Sequence, residues 1–261
     1  MGSQFHAISF TSLILASSLV LISLYVSYHQ QLKVEKDIII SSLRATVQLI
    51  IMGYVLNYLF SYESPIFTVI ILLVMLFNAS YNAAKRGNGI PNAFPISCVA
   101  IGVGATVTLT ILVASGILSF TPYQMIPIGG MVISGAMVAI GLCYRQLLAN
   151  FENRREEVEI KLALGATIQQ SSLSILRDVV KTGMQPNLDS AKTLGIVSLP
   201  GMMTGLILAG MDPIEAVKYQ IMVTFMSIST TSLASFISTY LGYRGFFNRK
   251  MQLVRHIGKA S

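Results

Sequence analysis

The chain has little charge, no tryptophan and almost no cysteine. Asp, Glu, Lys and Arg make up 11% of its 261 residues, where a soluble domain carries about 25%. Hydrophobic types reach 53% and the mean hydropathy is +0.67. These values exclude an ordinary soluble enzyme and a disordered chain. Cys98 and Cys143 both lie inside apolar runs, so no disulfide framework is implied. No G-x-x-x-x-G-K-[ST] motif is present; Gly258-Lys259 is followed by Ala260. Any nucleotide would therefore bind another chain. The long apolar runs contain no Asp or Glu, and His6, His29 and His256 lie outside them or at their edges. Proton-driven carriers use ionisable groups buried in the bilayer, and hard-cation cages use carboxylates. Both absences weigh against a self-contained ion carrier.

What the chain has is apolar length. A bilayer crossing needs about 20 apolar residues. Seven stretches come near this, at roughly 8–28, 38–60, 65–83, 94–118, 123–144, 194–211 and 219–242. The first lacks a basic leader, since no Lys or Arg precedes Phe10, and is read as a retained helix. The formal charge of +7 is then a matter of topology. With 145–193 placed in the cytoplasm, all but two of the 18 Lys and Arg fall on the inner side; the two are Arg44, within a span, and Lys218. This is the asymmetry of the positive-inside rule. It predicts an outer N-terminus and a cytoplasmic C-terminus. No nucleic-acid partner is needed to explain the charge. The outer loops, Ser61–Ser64, Ser119–Pro122 and Met211–Lys218, leave no room for a folded ectodomain. The fold class is thus all-α and polytopic, with about seven transmembrane helices in one membrane domain over 1–261.

Residues 150–193 form the one large polar region. Charges cluster at its start, and Leu162, Leu173, Leu176 and Val180 recur at helical spacing. Glu159 and Gly165 stand six apart, and Ile175 follows ten after the glycine. This spacing resembles the EAA loop of ABC-transporter permeases, a short helix that docks in a groove of the ATPase. Gly165 permits a tight turn. Leu162, Leu164 and the small Ala166 would form the docking face, with Glu159 and Thr167 flanking it. Ile160-Lys161 replaces the usual alanine pair, and Arg177-Asp178 stands where Leu-Pro is usual. The plainer reading is an interfacial helix pair that ties two spans together.

From about residue 30 to 250 the chain resembles the FetB (YbbM) family of ABC permeases, which includes plant aluminium-tolerance permeases. The resemblance is carried by Arg44–Leu56, Asn78–Ala83, Ile126–Met131, the Leu162–Thr167 core, Asp189–Gly210 and Tyr219–Met226. It implies an inner-membrane permease that acts as a homodimer with a separate ATPase. ATP and Mg would belong to that ATPase, and this chain would bind no cofactor of its own. Bacterial members are associated with iron export and resistance to oxidative stress. A second class stays open: a membrane-embedded assembly protein whose cytoplasmic loop recruits a soluble partner without transport.

Several residues carry two readings. Arg44 can snorkel, or with Gln48 one turn later it forms a polar stripe. Asn78 and Asn82 bond between helices or line a path. Gly201, Gly205 and Ala209 make a small-xxx-small ladder that packs within the chain or across a dimer. Pro200 breaks the helix there, and discontinuous helices expose backbone to solutes; Ser198–Thr204 is therefore the preferred path segment. Met202 and Met203 adjoin the break. Thioethers suit Cu(I) better than iron, and Met is more often flexible packing. Nine Ser and Thr between Tyr219 and Tyr243 are either interhelical packing or a polar wall.

Overall fold

A computed structural model describes residues 10–60, 64–248 and 250–254. His6, His256, most of the Ser61–Ser64 loop and the tail cations Arg249, Arg255 and Lys259 lie outside the described residues. The helices are α1 (Phe10–His29), α2 (Glu35–Phe60), α3 (Pro65–Arg86), α4 (Ala93–Ala114), α5 (Pro122–Asn153), α6 (Arg155–Ala163), α7 (Ile168–Thr193), α8 (Gly201–Leu208) and α9 (Pro213–Gly242); a 3₁₀ turn follows at Tyr243–Phe246. Prolines open α3, α5 and α9, where a missing N–H costs nothing and φ is preset.

The chain forms two compact units, Met1–Glu63 and Ser64–Ser261. In the first, α1 and α2 form a hairpin. Ser27 Oγ donates to Glu35 Oε1 at 2.7 Å across the turn. Both helices expose apolar side chains on every side, as suits a lipid-facing pair.

The second unit is a bundle of α3, α4, α5, α7 and α9. Its contacts fix the helix directions. Thr108 Oγ1 meets Thr230 Oγ1 at 2.8 Å, and Pro91 lies against Gly245, so α4 and α9 are antiparallel. Leu72 lies against Gly129 and Arg86 against Gly141, so α3 and α5 are parallel. Tyr144 Oη donates to the Ala93 carbonyl at 3.1 Å. The core centres on Ile101, Ala136, Ile140, Tyr144, Leu147 and Ala234, all at 0% exposure. The hydroxyls of α9 turn inward: Thr230, Thr231, Ser235, Ser238 and Thr239 are all buried. Two of them bond to their own preceding turn, Thr231 Oγ1 to the Ser227 carbonyl at 2.7 Å and Ser238 Oγ to the Ser235 carbonyl at 3.3 Å.

Among the described residues, six helices are long and apolar enough to cross a membrane: α1 to α5 and α9. The protein is a multi-pass membrane protein. The expected crossing at 194–211 is different. Helix covers only Gly201–Leu208 there. Gly195 at φ +79 and Gly210 at φ +96 interrupt the chain on either side, and Pro200 caps the short helix at ψ 145. Eight residues span about 12 Å, well short of a bilayer. The end of the 123–144 stretch also moves: α5 continues to Asn153.

Candidate functional site

The chain reverses direction through an elbow between α5 and α7. Helix α5 stops at Asn153, Arg154 leaves helical geometry at φ −111, and α6 begins. Val158 is fully buried, and Leu162 and Ile168 pack against the core. The end of α6 is a Schellman motif: Ala166 N–H donates to the Lys161 carbonyl and Gly165 N–H to the Leu162 carbonyl, both at 3.0 Å. That closure needs a left-handed residue, and Gly165 supplies it at φ +88. Helix α7 then starts on a capping box. Thr167 Oγ1 accepts from Gln170 N–H at 3.2 Å, and Thr167 N–H donates to Gln170 Oε1 at 2.9 Å.

Arg154 organises the elbow. Its Nε donates to Glu157 Oε2 at 2.8 Å, its Nη2 to Ser174 Oγ at 2.9 Å and its Nη1 to Asp178 Oδ2 at 3.2 Å. Lys161 Nζ reaches Glu157 from the other side at 2.5 Å. These bonds, Arg154 first and Lys161 second, hold the Glu157 carboxyl down to about 2. Hydrogen bonding to Glu157 likewise raises the Arg154 guanidinium. Glu159 pairs with Arg155 at 2.8 Å, and Arg155 also donates to the Leu253 carbonyl at 3.3 Å.

The tip of the elbow is apolar and open. Leu164 is 82% exposed and Ile160 60%. Ala166 and Thr167 sit beside them in the turn. The structure therefore divides the expected docking residues: Leu164 points out and Leu162 points in. Ile160, at a position where the loop pattern has alanine, joins Leu164 on the surface. Ile175 is buried at 0%, and Arg177-Asp178 lies within unbroken helix. The signal for the cap was present as Thr167-x-x-Gln170; the roles of Arg154, Glu157, Ser174 and Asp178 had no sequence signature.

The other candidates lie apart from the elbow. Arg44 and Gln48 are exposed on α2. Asn82 Nδ2 donates to Asn78 Oδ1 at 2.7 Å, so these two amides bond within α3. Ser198 and Pro200 lie at the break before α8, and Met202 and Met203 in its first turn. There a cavity of 590 Å³ is lined by Leu194, Pro200, Met203, Gln220 and Thr224, among others. Gln220 Oε1 is buried and has no hydrogen-bond partner among the described residues. Nothing lies within 4 Å of a Cβ built on Gly201 or Gly205, and Ala209 is exposed, so the small-residue ladder faces away from its own bundle. Among the described residues no three His, Cys, Asp or Glu side chains gather into a metal site.

Known proteins match this chain along nearly its whole length. An uncharacterised protein family, UPF0014, matches residues 10–247. The chain is 49% identical to "Probable iron export permease protein FetB" of Escherichia coli K12, over 95% of this chain and 96% of that protein. It is 41% identical to "UPF0014 membrane protein YjkA" of Bacillus subtilis, over 94% and 98%. It is 36% identical to "Protein ALUMINUM SENSITIVE 3" of Arabidopsis thaliana, over 91% and 87%. No solved structure matches. With a family match and three relatives each covering most of its length, the chain belongs to the UPF0014 family.

Proposed function

We propose that this chain is the permease subunit of an ABC transporter that exports iron, works as a homodimer and draws on ATP and Mg bound by a separate ATPase. One observation carries the coupling half of this reading. The elbow is a capped helix pair, braced by Arg154, whose tip presents Leu164 at 82% exposure and Ile160 at 60%. Exposed apolar side chains on a braced helix end suit docking into a partner's groove. The chain also lacks a nucleotide motif of its own. The iron half rests on similarity to a protein named as a probable iron export permease.

Helix directions support a plasma-membrane topology with the elbow inside. Lys85, Arg86, Arg145, Arg154, Arg155, Lys161 and Arg244 belong to segments that meet at one end of the bundle, where Gly87 lies against Tyr144 and Pro91 against Gly245. That end is the cytoplasmic one by the positive-inside rule. ATP binding would draw two ATPases together, and the elbow would carry that motion into α5 and α7. Asn78, Asn82, Arg44, Gln48 and the segment around Pro200 remain the candidate path residues.

The test measures iron content in cells lacking this gene, under iron load with and without peroxide. Excess iron, restored to normal by the intact gene but not by Leu164→Asp, supports ATP-coupled iron export. Normal iron in the deletion strain rejects the substrate. An ATPase that co-purifies equally with the Leu164→Asp, Ile160→Asp chain rejects the elbow as its dock.

A further inference from the structure

We propose that α7 and α8 are the two halves of one membrane crossing, broken at residues 194–200, and that the polar face of α7 lines a water-filled path. The crossing follows from how α7 threads the bundle. At its start, Ser174 and Asp178 meet Arg154 at the end of α5. Further on, Cys143 Sγ donates to the Val179 carbonyl at 3.7 Å. Gly183 then sits against Cys143 and Ser235. Pro186 and Asn187 share a cavity with Met131, Ser134, Val223 and Ser227. Finally Ala191 and Leu194 line a cavity with Val217 and Gln220.

As the numbers on α7 rise, those on α5 and α9 fall. Helix α7 therefore runs antiparallel to both, from their basic end toward their opposite end. From Val179, level with Cys143, to its end at Thr193 it rises about 21 Å, short of a bilayer core of about 30 Å. It ends about two turns short of the start of α9. Helix α8, packed on α9 from Pro200 onward, supplies the remaining rise of about 12 Å. This gives the seventh crossing that apolar length placed wholly within 194–211. Only its outer half is apolar.

The inner half is two-faced. Ile175, Leu176, Val179 and Gly183 are buried against α5 and α9. Arg177, Lys181, Gln185 and Asp189, four residues apart, form an exposed stripe on the opposite side. Gln185 Nε2 donates to both Asp189 oxygens at 2.8 Å, and Lys192 Nζ pairs with Asp189 at 3.1 Å. Between Gln185 and Asp189, Pro186 and Asn187 share a cavity with Met131, Ser134 and Gly135 of α5, well inside that span. Charged groups at such depth do not face hydrocarbon; they line water or meet protein. The break adds a second polar feature, the buried Gln220 Oε1, which has no partner among the described residues, at the neighbouring cavity. Broken helices at membrane depth occur where they line a cavity. One carboxylate held by an amide and an ammonium group suits a hydrated, charged solute. That the path serves transport rests on the function proposed above; the crossing itself does not.

The test is cysteine accessibility in the full chain, in a Cys98→Ala background that keeps the buried Cys143. Single changes Gln169→Cys, Leu176→Cys, Gln185→Cys, Ser190→Cys and Met211→Cys are treated with a charged, membrane-impermeant methanethiosulfonate. Right-side-out and inverted vesicles are compared, after gel filtration confirms each variant is folded. Gln169→Cys should react only from the cytoplasmic face and Met211→Cys only from the other. Gln185→Cys and Ser190→Cys should react about tenfold or more faster than Leu176→Cys. Reaction of Gln169→Cys and Met211→Cys from one and the same face overturns the crossing. Inert Gln185→Cys and Ser190→Cys overturn the water-filled path and leave that face packed against protein. Labelling needs neither iron nor ATPase, so it stands or falls separately from the iron measurement.

Discussion

Arg154 reaches from the end of α5 to Asp178 of α7, Nη1 to Oδ2 at 3.2 Å, and so closes the elbow on itself. The two side chains are 30% and 53% exposed. An ion pair this open contributes less than about 1 kcal/mol. Arg154 also holds Glu157 and Ser174, so its loss removes three partners at once. Arg154→Ala is expected to cost about 1–2 kcal/mol, and Asp178→Ala less than about 1. Thermal unfolding in detergent reads both. Protease cleavage within 164–167 should rise for Arg154→Ala well before global unfolding.

Gly165 and Leu164 separate folding from docking. A Cβ on Gly165 meets nothing within 4 Å, so Gly165→Ala suffers only backbone strain at φ +88, about 1–2 kcal/mol. Gly165→Asn should cost less, since Asn tolerates this conformation. Leu164→Asp touches no packed neighbour and should leave the stability within about 0.5 kcal/mol of the parent. Its effect should fall on ATPase co-purification instead. A Leu164→Asp chain that unfolds early would mean that Leu164 supports the fold rather than a partner.

Much of this architecture was legible in the residues. Apolar runs marked α1 to α5 and α9. The Glu159–Gly165 spacing located the elbow, because a left-handed turn demands glycine. Helix α7 was harder to read. Its apolar positions, Ile175, Leu176 and Val179, occupy one face only, and the polar face pulls its average hydropathy below that of a crossing. The break at Pro200 was readable, but which neighbouring segment completed the helix depended on contacts with α5 and α9. The hub formed by Arg154 was invisible for a similar reason: its partners Ser174 and Asp178 lie 20 and 24 residues away.

The elbow should respond to acid through Glu157. Hydrogen bonds from Arg154 and then Lys161 hold this carboxyl down from 4.5 to about 2. A lowered folded-state value means that its contribution is complete above the unfolded value. It is then lost as pH falls from 4.5 toward 2. The group is partly exposed, at 39%, so solvent screens much of the effect. Amide exchange in α6 should therefore speed up between those pH values while α5 stays protected. Glu157→Gln should show the faster exchange already at neutral pH and lose the acid dependence. An acid response unchanged in Glu157→Gln would assign it to another carboxylate.

Gly183 tests how closely α7 must approach its neighbours. A Cβ there would collide with Cys143 Sγ on α5 and Ser235 Oγ on α9. Both obstacles are short side chains on different helices, so neither can swing far aside. Gly183→Ala is expected to destabilise the bundle by about 1–3 kcal/mol through overpacking, despite the better helix propensity of alanine. Adding Ser235→Ala makes room on one side and should recover part of that loss, a non-additive result. Ser190→Ala, on the exposed face of the same helix, should change stability by less than about 0.5 kcal/mol. Thermal unfolding of the parent, Gly183→Ala, Ser235→Ala and the double variant in one detergent measures the cycle, with Ser190→Ala alongside as the control. If Gly183→Ala were as stable as the parent, α7 would have slack against α5 and α9, and the tight antiparallel docking that carries it across the bundle would not hold.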